Sequence, residues 1–477
     1  MCHNKFMSDI VLVTPPITLK ERYGKLSWAS NTLPSLGILY LAGILRKGGF
    51  NVSVIEASSL GLSIKELTKE IVKTKPRYLG ISATTLTILN ASTLANELKN
   101  YLKDIKIIIG GPHLTAMPEE TMKRFNSFDF GVAGEGEETI LELINSIDQG
   151  KKLSDIAGII YRENDTVVKT PKRPFLDNLD KLPFPAWDLL TNFPERYHPP
   201  PFRFKKLPAS YIVTTRGCPY KCIFCDRSVF GNKCRGHSSE YILELIEYLY
   251  KSFGIKEILI EDDTFITFKK RLVEVCEGIL KRGIRISWSC LGRVDAVTSE
   301  NLRLMKKAGC WSISYGIETG DEDVMKFIGK NITLEQVKQA VYLTHKSGIL
   351  SKGFFIMGHP TDTHDTIRKT IKFALKIPLD DISISMMTPF PGSKLYQIAS
   401  KYGEFDNSWR KMNELDIVFV PKGLTKENLQ NYSKDMMRRF YLRPRIVFNY
   451  MKRISENPKA IPHYIRGFTA FLKKTFS

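Results

Sequence analysis

The sequence predicts an α/β protein with two successive β-α regions, a proline-rich segment between them and a basic, helical C-terminal region. Three observations lead to this fold class. Short apolar runs alternate with amphipathic stretches from residue 9 to about 147, and the alternation resumes in residues 206–410. Nine of the 24 prolines lie in residues 171–208. Residues 421–477 carry 13 Lys or Arg against 3 Asp or Glu.

The chain is too long for one compact core. Its 477 residues divide, on these patterns, into a domain at 1–150, a linker at 151–205, a second β-α domain at 206–410 and a helical region at 411–477. No apolar run approaches the ~20 residues that a membrane-spanning helix needs. No long apolar region follows residues 1–5. We therefore expect a cytoplasmic protein, with membrane association only through its surface.

Five strand candidates in the N-terminal region predict a doubly wound parallel sheet. They are residues 10–13, 52–55, 78–81, 105–109 and 129–132. Ligands of such sheets bind beyond the carboxyl ends of the strands, so the residues after these runs are binding candidates. They are Pro15, Ser82, Gly110, Gly111, His113, Gly134 and Glu135. The glycines permit close approach of backbone to a bulky ligand, although any tight strand-to-helix turn also uses them.

Three cysteines follow the apolar run 211–213 at C-x3-C-x2-C spacing. Cys218, Cys222 and Cys225 are the metal-ligand candidates. Thiolates four and three residues apart on one loop can converge on a single iron-sulfur cluster. Three protein ligands would leave one iron of a four-iron cluster open to a substrate or cofactor.

A zinc site is the alternative for this loop. Structural zinc takes four ligands, and Cys234 or His237 would supply the fourth. Disulfides are disfavoured in a reducing cytosol. The remaining cysteines downstream are expected to be buried apolar residues. They are Cys276, Cys290 and Cys310.

Charged residues also follow strand candidates of the second region. Asp262 and Asp263 follow residues 257–260, Arg293 follows 286–290 and Glu318 follows 313–317, while 353–358 and 382–385 are the last two candidates. At the carboxyl end of a barrel strand such groups face the mouth, where sites are built. Arg293 would bind a carboxylate and Glu318 a hydroxyl. Two alternatives stay open: the aspartates cap the next helix, or Arg293 and Glu318 pair with each other.

The segment R-G-C-P-Y-K-C-I-F-C at 216–225 and the segment G-I-E-T-G at 316–320 resemble the radical S-adenosylmethionine enzymes. The resemblance implies a partial (β/α)6 barrel with a 4Fe-4S cluster, which binds S-adenosylmethionine and cleaves it to a 5′-deoxyadenosyl radical. Phe224 matches the aromatic residue that this family often has before the last cysteine. Asp262 or Asp263 would hold the amino group of S-adenosylmethionine. An electron donor such as flavodoxin or ferredoxin is the implied partner.

The N-terminal region resembles the Rossmann-like cobalamin-binding domain of one large subgroup of that family. The resemblance rests on G-G-P-H at 110–113, G-E-G-E at 134–137 and L-P-F-P-A-W at 182–187. It implies cobalamin as a third cofactor. The D-x-H-x-x-G signature is missing from this region, because Gly111 stands two residues before His113. Its absence argues against a histidine-ligated cobalt.

The resemblance implies an enzyme that methylates an unactivated carbon of a small molecule or a lipid. A cobalamin-dependent radical cyclase or rearrangement enzyme is one alternative. A corrinoid-binding carrier or sensor with an inactive barrel is another, although the intact cysteines argue against it. Methylthiotransferases are disfavoured, because they carry a second cysteine triplet in the N-terminal domain, where this chain has only Cys2.

About half of the net charge of +20 lies in residues 421–477. Aromatic residues are interleaved with the cations there, among them Phe448, Tyr450, Phe468 and Phe471. This composition suits an anionic membrane surface or the acidic face of a partner, and nucleic acid is less favoured. The alternative is an ordinary solvated helical surface.

Overall fold

The computed structural model describes residues 8–24, 27, 32–263, 265–456, 461–462, 465 and 468–469. Residues 1–5 and Phe471, to which sequence predictions refer, lie outside this part of the chain. The described residues form two compact units. Unit 1 takes its residues from Met1–Arg22, Thr32–Tyr197 and Asp226–Gly231, and unit 2 from Tyr23–Asn31, His198–Cys225 and Asn232–Ser477.

Seven strands form the sheet of unit 1. They are β1 (Ile10–Thr14), β2 (Val52–Glu56), β3 (Tyr78–Ser82), β4 (Lys106–Gly110), β5 (Phe130–Val132), β6 (Ile159–Glu163) and β7 (Thr166–Lys169). The helices along this part of the chain are α1 (Leu19–Tyr23), α2 (Leu36–Lys47), α3 (Ala57–Leu60), α4 (Ile64–Thr74), α5 (Ile88–Tyr101), α6 (Pro112–Ala116), α7 (Pro118–Arg124) and α8 (Glu137–Asp148).

The sheet order is β2-β1-β3-β4-β5-β6-β7, and the first five strands are parallel. This confirms the predicted doubly wound sheet. Strand β1 is apolar because helices cover both faces of a central parallel strand, and Ile10, Val11 and Val13 are fully buried. The strand order reverses between β1 and β3, and ligands of such sheets bind at the carboxyl side of this switch point.

Strands β6 and β7 correct one expectation, because they lie inside the predicted linker at 151–205. They pair antiparallel with each other and extend the sheet from β5. Asn164 and Asp165, between them, have φ of 49° and 63°. A two-residue hairpin turn with both φ positive favours Asn and Asp, so this pair was the local signal for the hairpin. Residues 171–208 hold no α-helix or β-strand, as expected of a linker. The exact domain boundaries stay a prediction.

The main sheet of unit 2 contains the six predicted strands. The strands of this unit are β8 (Ala209–Ile212), β9 (Thr215–Arg216), β10 (Arg235–Gly236), β11 (Glu257–Ile260), β12 (Ser287–Gly292), β13 (Cys310–Glu318), β14 (Leu350–Met357), β15 (Asp381–Met386), β16 (Gly403–Phe405) and β17 (Phe419–Pro421). Six of them run in the order β15-β14-β13-β12-β11-β8, with every neighbouring pair parallel. This confirms the expected partial (β/α)6 barrel.

Helices connect the barrel strands and extend beyond them. They are α9 (Ser239–Phe253), α10 (Lys269–Lys281), α11 (Ser299–Lys307), α12 (Glu322–Phe327), α13 (Leu334–Lys346), α14 (His364–Lys376), α15 (Lys394–Tyr402), α16 (Lys426–Tyr441) and α17 (Pro444–Glu456). Several begin at a threonine whose hydroxyl accepts from the third helical N–H, as at Thr298, Thr333 and Thr425. These caps fix where each helix begins, and therefore which residues remain in the strand-end loops.

Helices α16 and α17 lie in the predicted helical C-terminal region at 411–477, which also contains strand β17. Arg443 Nη1 at their junction donates to Leu375 O at 3.0 Å. Arg453 Nη2 of α17 donates to Phe202 O at 3.0 Å. Within the described ranges, no helix is both long enough and apolar enough to span a bilayer.

Candidate active site

The cysteine loop, residues 217–225, follows strands β8 and β9 and is fixed by a later segment of the chain. Ile223 N donates to Ile328 O at 3.0 Å. Cys222 Sγ donates to Gly329 O at 3.7 Å. Ile223 and Ile328 also share one apolar cluster. The loop therefore has a defined conformation although it lacks regular secondary structure.

The thiol of Cys222 interacts with the thiols of both Cys218 and Cys225. A hydrogen bond with Cys225 lowers the pKa of the Cys222 thiol to about 7, against the effect of burial and with help from Lys330. The same bond raises the pKa of Cys225. Burial raises the pKa of Cys218, whose thiol also interacts with Cys222. Three neighbouring thiols of which one ionises readily fit the donor set of an iron-sulfur cluster.

The side-chain positions give the zinc alternative no support. Among the residues that the structure describes, no group of three or more His, Cys, Asp or Glu side chains is placed to hold a metal ion. His237 instead stacks on Tyr241, with 3.9 Å between the ring centroids. An iron-sulfur cluster allows its thiol ligands to lie farther apart than a single metal ion does, because each thiolate binds a different iron. As predicted, the three downstream cysteines are buried: Cys276, Cys290 and Cys310.

Glu318 and Lys330 form a buried ion pair in the same electrostatic environment. Lys330 Nζ lies 2.6 Å from Glu318 Oε1, and the two side chains are 13% and 8% exposed. Burial alone lowers the pKa of Lys330, but Glu318 and Cys222 outweigh it and the pKa is raised. The ammonium therefore stays charged and favours the thiolate of Cys222. The alternative in which Glu318 pairs with Arg293 was wrong. Glu318 pairs with Lys330, and Arg293 pairs with Asp295.

The backbone at the end of β13 makes room for this ion pair. Glu318 has φ of 69°, a left-handed value that side chains other than glycine rarely adopt. The register with β14 shifts between Gly316 and Glu318. A Cβ on Gly316 would lie 2.5 Å from Glu318 Oε1 and 2.7 Å from Lys330 Nζ. Backbone strain of this kind is concentrated at functional sites.

Arg293 supports the cysteine loop. Its guanidinium lies over the Tyr220 ring, 3.4 Å from the centroid, and Tyr220 stands between the first two cysteines. Nε and Nη2 of Arg293 donate to the two carboxylate oxygens of Asp295 at 3.0 and 2.8 Å. The arginine is thus held in one orientation at the carboxyl end of β12.

Asp262, two residues after the end of β11, is fully enclosed. Its carboxylate accepts hydrogen bonds from the backbone N–H and the hydroxyl of Thr214, and Arg271 Nη2 lies 3.7 Å away. Burial raises the pKa of Asp262 to about 6. The side chain therefore joins the ends of β8 and β11. The described contacts of Asp262 thus go to Thr214 and Arg271, whereas Phe268 occupies the N-cap position of α10 without a side-chain cap hydrogen bond.

Asp263 and Phe224 have more open surroundings. Asp263 is exposed, and its charge acts on Cys218 and Lys330. Phe224 is half-buried and packs against the apolar cluster around Ile223. Of the two aspartates, Asp263 is better placed to meet a ligand beside the thiols. The roles of both residues toward a cofactor stay predictions.

In unit 1, the predicted binding loops meet at the carboxyl ends of β1, β3 and β4. Ala83 N donates to Gly110 O at 3.0 Å. A Cβ on Gly111, where φ is 96°, would lie 2.7 Å from Ala83 O. Pro15, after β1, accepts from Ser58 Oγ at 3.3 Å, and Ser82 ends β3. Glycine at 111 is therefore required both by its φ and by the neighbouring backbone.

A threonine joins two of these loops. Thr115 Oγ1 donates to Gly111 O at 2.9 Å and accepts from Gly134 N at 3.0 Å. Gly134 has φ of 80°, and a Cβ there would have no atom within 4 Å. The G-G-P-H and G-E-G-E segments thus form one surface with open space above Gly134.

His113 and Glu135 face inward. His113 has no exposed surface, and its Nδ1 lies 3.2 Å from Thr85 Oγ1. Burial lowers the pKa of His113 to about 4, so the ring is neutral. Glu135 Oε2 accepts from Leu176 N at 2.9 Å. Both side chains support the loops from beneath, and an enclosed imidazole is poorly placed to reach a cobalt.

Comparisons with known proteins agree with this geometry. A B12 binding domain matches residues 28–144 and the radical SAM superfamily matches residues 212–374. A Pyrococcus horikoshii protein, uncharacterized methyltransferase PH0819, is 36% identical over 444 residues, which cover 92% of this chain and 93% of that protein. The chain belongs to the cobalamin-binding radical S-adenosylmethionine enzymes.

A further sequence relative and one solved structure are also similar to this chain. The anaerobic magnesium-protoporphyrin IX monomethyl ester cyclase of Rubrivivax gelatinosus is 29% identical over 452 residues, covering 93% of this chain and 79% of the cyclase. The fold is similar to that of the cobalamin-dependent S-adenosylmethionine radical enzyme OxsB, solved with aqua-cobalamin and S-adenosylmethionine. The TM-score is 0.74 at 20% identity, over 96% of this chain and 72% of OxsB.

As a cobalamin-binding radical S-adenosylmethionine enzyme, the protein uses a 4Fe-4S cluster, S-adenosylmethionine and cobalamin. Enzymes of this superfamily require a reductant and act on small molecules. The enzymatic function argues against the carrier or sensor alternative. Sequence reasoning missed Lys330 and Thr115. The sequence signal for Lys330 was its position between Gly329 and Asn331, two residue types that favour turns. The structure confirms a tight loop there, with φ values of 69° and 52° at these two residues.

Proposed function

We propose that this protein is a cobalamin-dependent radical S-adenosylmethionine methyltransferase that acts on an unactivated carbon of a small molecule or lipid. The observation that carries the proposal is the fixed cysteine loop beside the buried Glu318–Lys330 pair. Methyl transfer is supported by the Pyrococcus relative, a methyltransferase by name. When bound, the cluster supplies the electron that cleaves S-adenosylmethionine, and methylcobalamin supplies the methyl group.

Cys218, Cys222 and Cys225 would hold the cluster, each through one thiolate. The positive charge of Lys330 favours the deprotonated form of Cys222. Arg293, fixed by Asp295, keeps Tyr220 and the loop in position. These residues place and ionise the ligands, and they do not take part in bond cleavage.

Three charged groups would position S-adenosylmethionine. Asp263 would accept from its ammonium group, since Asp262 is occupied by Thr214. Arg293 would bind the carboxylate. Among the described contacts, Lys330 uses Oε1 of Glu318, so Oε2 is the oxygen for a ribose hydroxyl.

The loops of unit 1 would bind cobalamin largely through backbone. Gly110, Gly111 and Gly134 bring peptide groups to the surface at the carboxyl ends of β4 and β5, and Pro15 and Ser82 flank the switch point. A flat, bulky corrin suits such a surface because no side chain stands in its way. His113 and Glu135 would act as supports and not as ligands.

A small, one-electron protein would serve as the reductant. A flavodoxin or a ferredoxin supplies electrons at the low potential that iron-sulfur clusters of this kind need. Anaerobic assays with a chemical reductant and with flavodoxin would compare the two sources.

The test is an anaerobic assay of reconstituted protein with S-adenosylmethionine that carries an isotopically labelled methyl group, together with a metabolite and lipid extract. We expect 5′-deoxyadenosine and transfer of the label to an extractable product that is heavier by one CH2 group. Cys222→Ala should yield neither. A wild-type enzyme that cleaves no S-adenosylmethionine contradicts the proposal.

A radical cyclase with the same cofactors is the second candidate, because the Rubrivivax cyclase aligns over almost the whole chain. Cyclisation joins atoms already present in the substrate. The same assay would then yield 5′-deoxyadenosine without label in the product, and the product mass would not rise.

A further inference from the structure

Helix α17 packs on unit 2 by one face and exposes apolar side chains on another. Ile446 is fully buried. Val447, Phe448 and Met451 are 43%, 67% and 64% exposed. These three positions lie on one side of the helix, because Met451 is four residues after Val447 and three residues after Phe448. An anchored helix with an outward apolar strip has the form of an interfacial membrane helix.

The contacts of α17 place it at the amino ends of the barrel strands. Ile454 packs with Phe204 and Leu207 in one apolar cluster. Arg453 Nη2 donates to Phe202 O at 3.0 Å. The segment 202–207 leads directly into β8, so the exposed strip lies at the end of the barrel opposite to the cysteine loop.

A basic pocket opens beside the same segment. It has a volume of about 460 Å³ and is lined by Lys206, Tyr250, Gly254, Lys256 and Arg285. Lys256 directly precedes β11 and Arg285 lies two residues before β12. In the part of the chain that the structure describes, none of these three cations pairs with a carboxylate. The nearby Glu257 is fully buried, and its carboxylate accepts the backbone N–H groups of Lys205 and Lys206.

We propose that this end of the barrel docks on an anionic lipid bilayer, with the α17 strip in the interface and a lipid phosphate in the basic pocket. Charge complementarity favours this partner, since the pocket has three unpaired cations and residues 421–477 carry 13 Lys or Arg against 3 Asp or Glu. Aliphatic Val447 and Met451 gain from an apolar interior and gain little from nucleic acid, which binds through phosphates and stacked bases. The surface is remote from the thiols, so docking leaves the mouth of the barrel open to substrate.

The apolar strip is tested by co-sedimentation of the full-length protein with phosphatidylcholine vesicles that contain or lack phosphatidylglycerol. We expect binding only to the anionic vesicles, and weaker binding as salt is raised. Phe448→Ser with Met451→Ser should weaken it roughly tenfold. Tyr101→Ser is the matched control, because Tyr101 is equally exposed at 67% but lies in unit 1.

The pocket is tested by charge reversal in the same assay. Each cation near an anionic membrane strengthens binding about fivefold, so Lys256→Glu with Arg285→Glu should weaken it by at least about 25-fold. Lys65→Glu with Lys103→Glu changes the net charge equally at exposed positions of unit 1. Cleavage of S-adenosylmethionine should be unchanged in all four variants, which shows that each is folded.

Several outcomes would overturn the proposal. One is a wild-type protein that ignores anionic vesicles. Another is equal weakening by the pocket variant and its control, which would reduce the effect to net charge. A third is tighter binding to single-stranded RNA than to vesicles, with the same variants affecting it, which would assign the surface to nucleic acid.

Discussion

The two units share a β-α architecture but differ in the chemistry of their strand ends. In unit 1 the carboxyl ends carry glycines, hydroxyls and the neutral, enclosed His113. In unit 2 they carry thiols, Arg293 and the Glu318–Lys330 pair. The architecture determines where a ligand is met, and the residues after each strand determine which ligand is suited. Peptide backbone suits a bulky corrin, whereas fixed charges suit a cluster and a zwitterion.

The largest expected effect is a substitution that removes the activity of unit 2 and leaves ligand binding by unit 1 intact. Cys222→Ala should abolish cleavage of S-adenosylmethionine, because the cluster loses one of three protein ligands, while cobalamin binding by unit 1 is retained. Cys276→Ala, a buried cysteine of α10, should keep the cluster. Iron content measures the cluster, absorption spectra measure bound cobalamin, and product assays measure cleavage of S-adenosylmethionine. Loss of cobalamin in Cys222→Ala would show that the two sites are not independent.

The second largest effect is expected on the stability of unit 2, from removal of the buried Lys330 charge that pairs with Glu318. Lys330→Met leaves Glu318 unpaired and should cost about 3–5 kcal/mol in the free energy of unfolding of that unit. Lys338→Met removes an exposed partner of Glu335, whose side chain is 78% exposed, and should cost less than about 1 kcal/mol. Adding Glu318→Gln to Lys330→Met should recover part of the loss. Equal costs at both lysines, measured by hydrogen exchange in β13, would contradict the importance of burial.

Unit 1 should respond to acid through His113. Its pKa is about 4 in the folded state against an ordinary 6.5, so burial of the neutral ring stabilises the fold above pH 6.5. That stability is lost as the pH falls toward 4, by about 3 kcal/mol. Hydrogen exchange in β4 measures this loss. His113→Gln should remove the pH dependence in this window, and an unchanged slope would rule out His113 as its origin.

The smallest expected effect concerns two glycines of unit 1. Both have positive φ, but only Gly111 has backbone within reach of a Cβ. Gly134→Ala should cost roughly 1 kcal/mol through its φ alone. Gly111→Ala should cost roughly 2 kcal/mol more, because Ala83 O must move. Unfolding and cobalamin affinity measure the difference, and similar effects at both positions would show that the loop adjusts freely.

Sequence reasoning succeeded where the signal is local. The five parallel strands of unit 1 and the six barrel strands of unit 2 were evident from apolar runs, and the cysteine loop from spacing alone. It failed where the partner depends on tertiary structure. Lys330 meets Glu318 only because the turn after α12 returns to the end of β13, and nothing in the spacing distinguished this lysine from Arg293 as the partner. Asp262 was a similar case, since its enclosure by Thr214 follows from strand pairing.

The hairpin of β6 and β7 has a practical consequence for work on the corrin-binding half. It converts the three-residue strand β5 from a sheet edge into an inner strand, and Gly158 O accepts from Ala133 N at 2.9 Å beside the G-E-G-E loop. A fragment that stops at residue 150 would leave an apolar edge unpaired and prone to self-association. Isolated expression should therefore extend at least through Tyr197, where the longest continuous segment of the first unit ends.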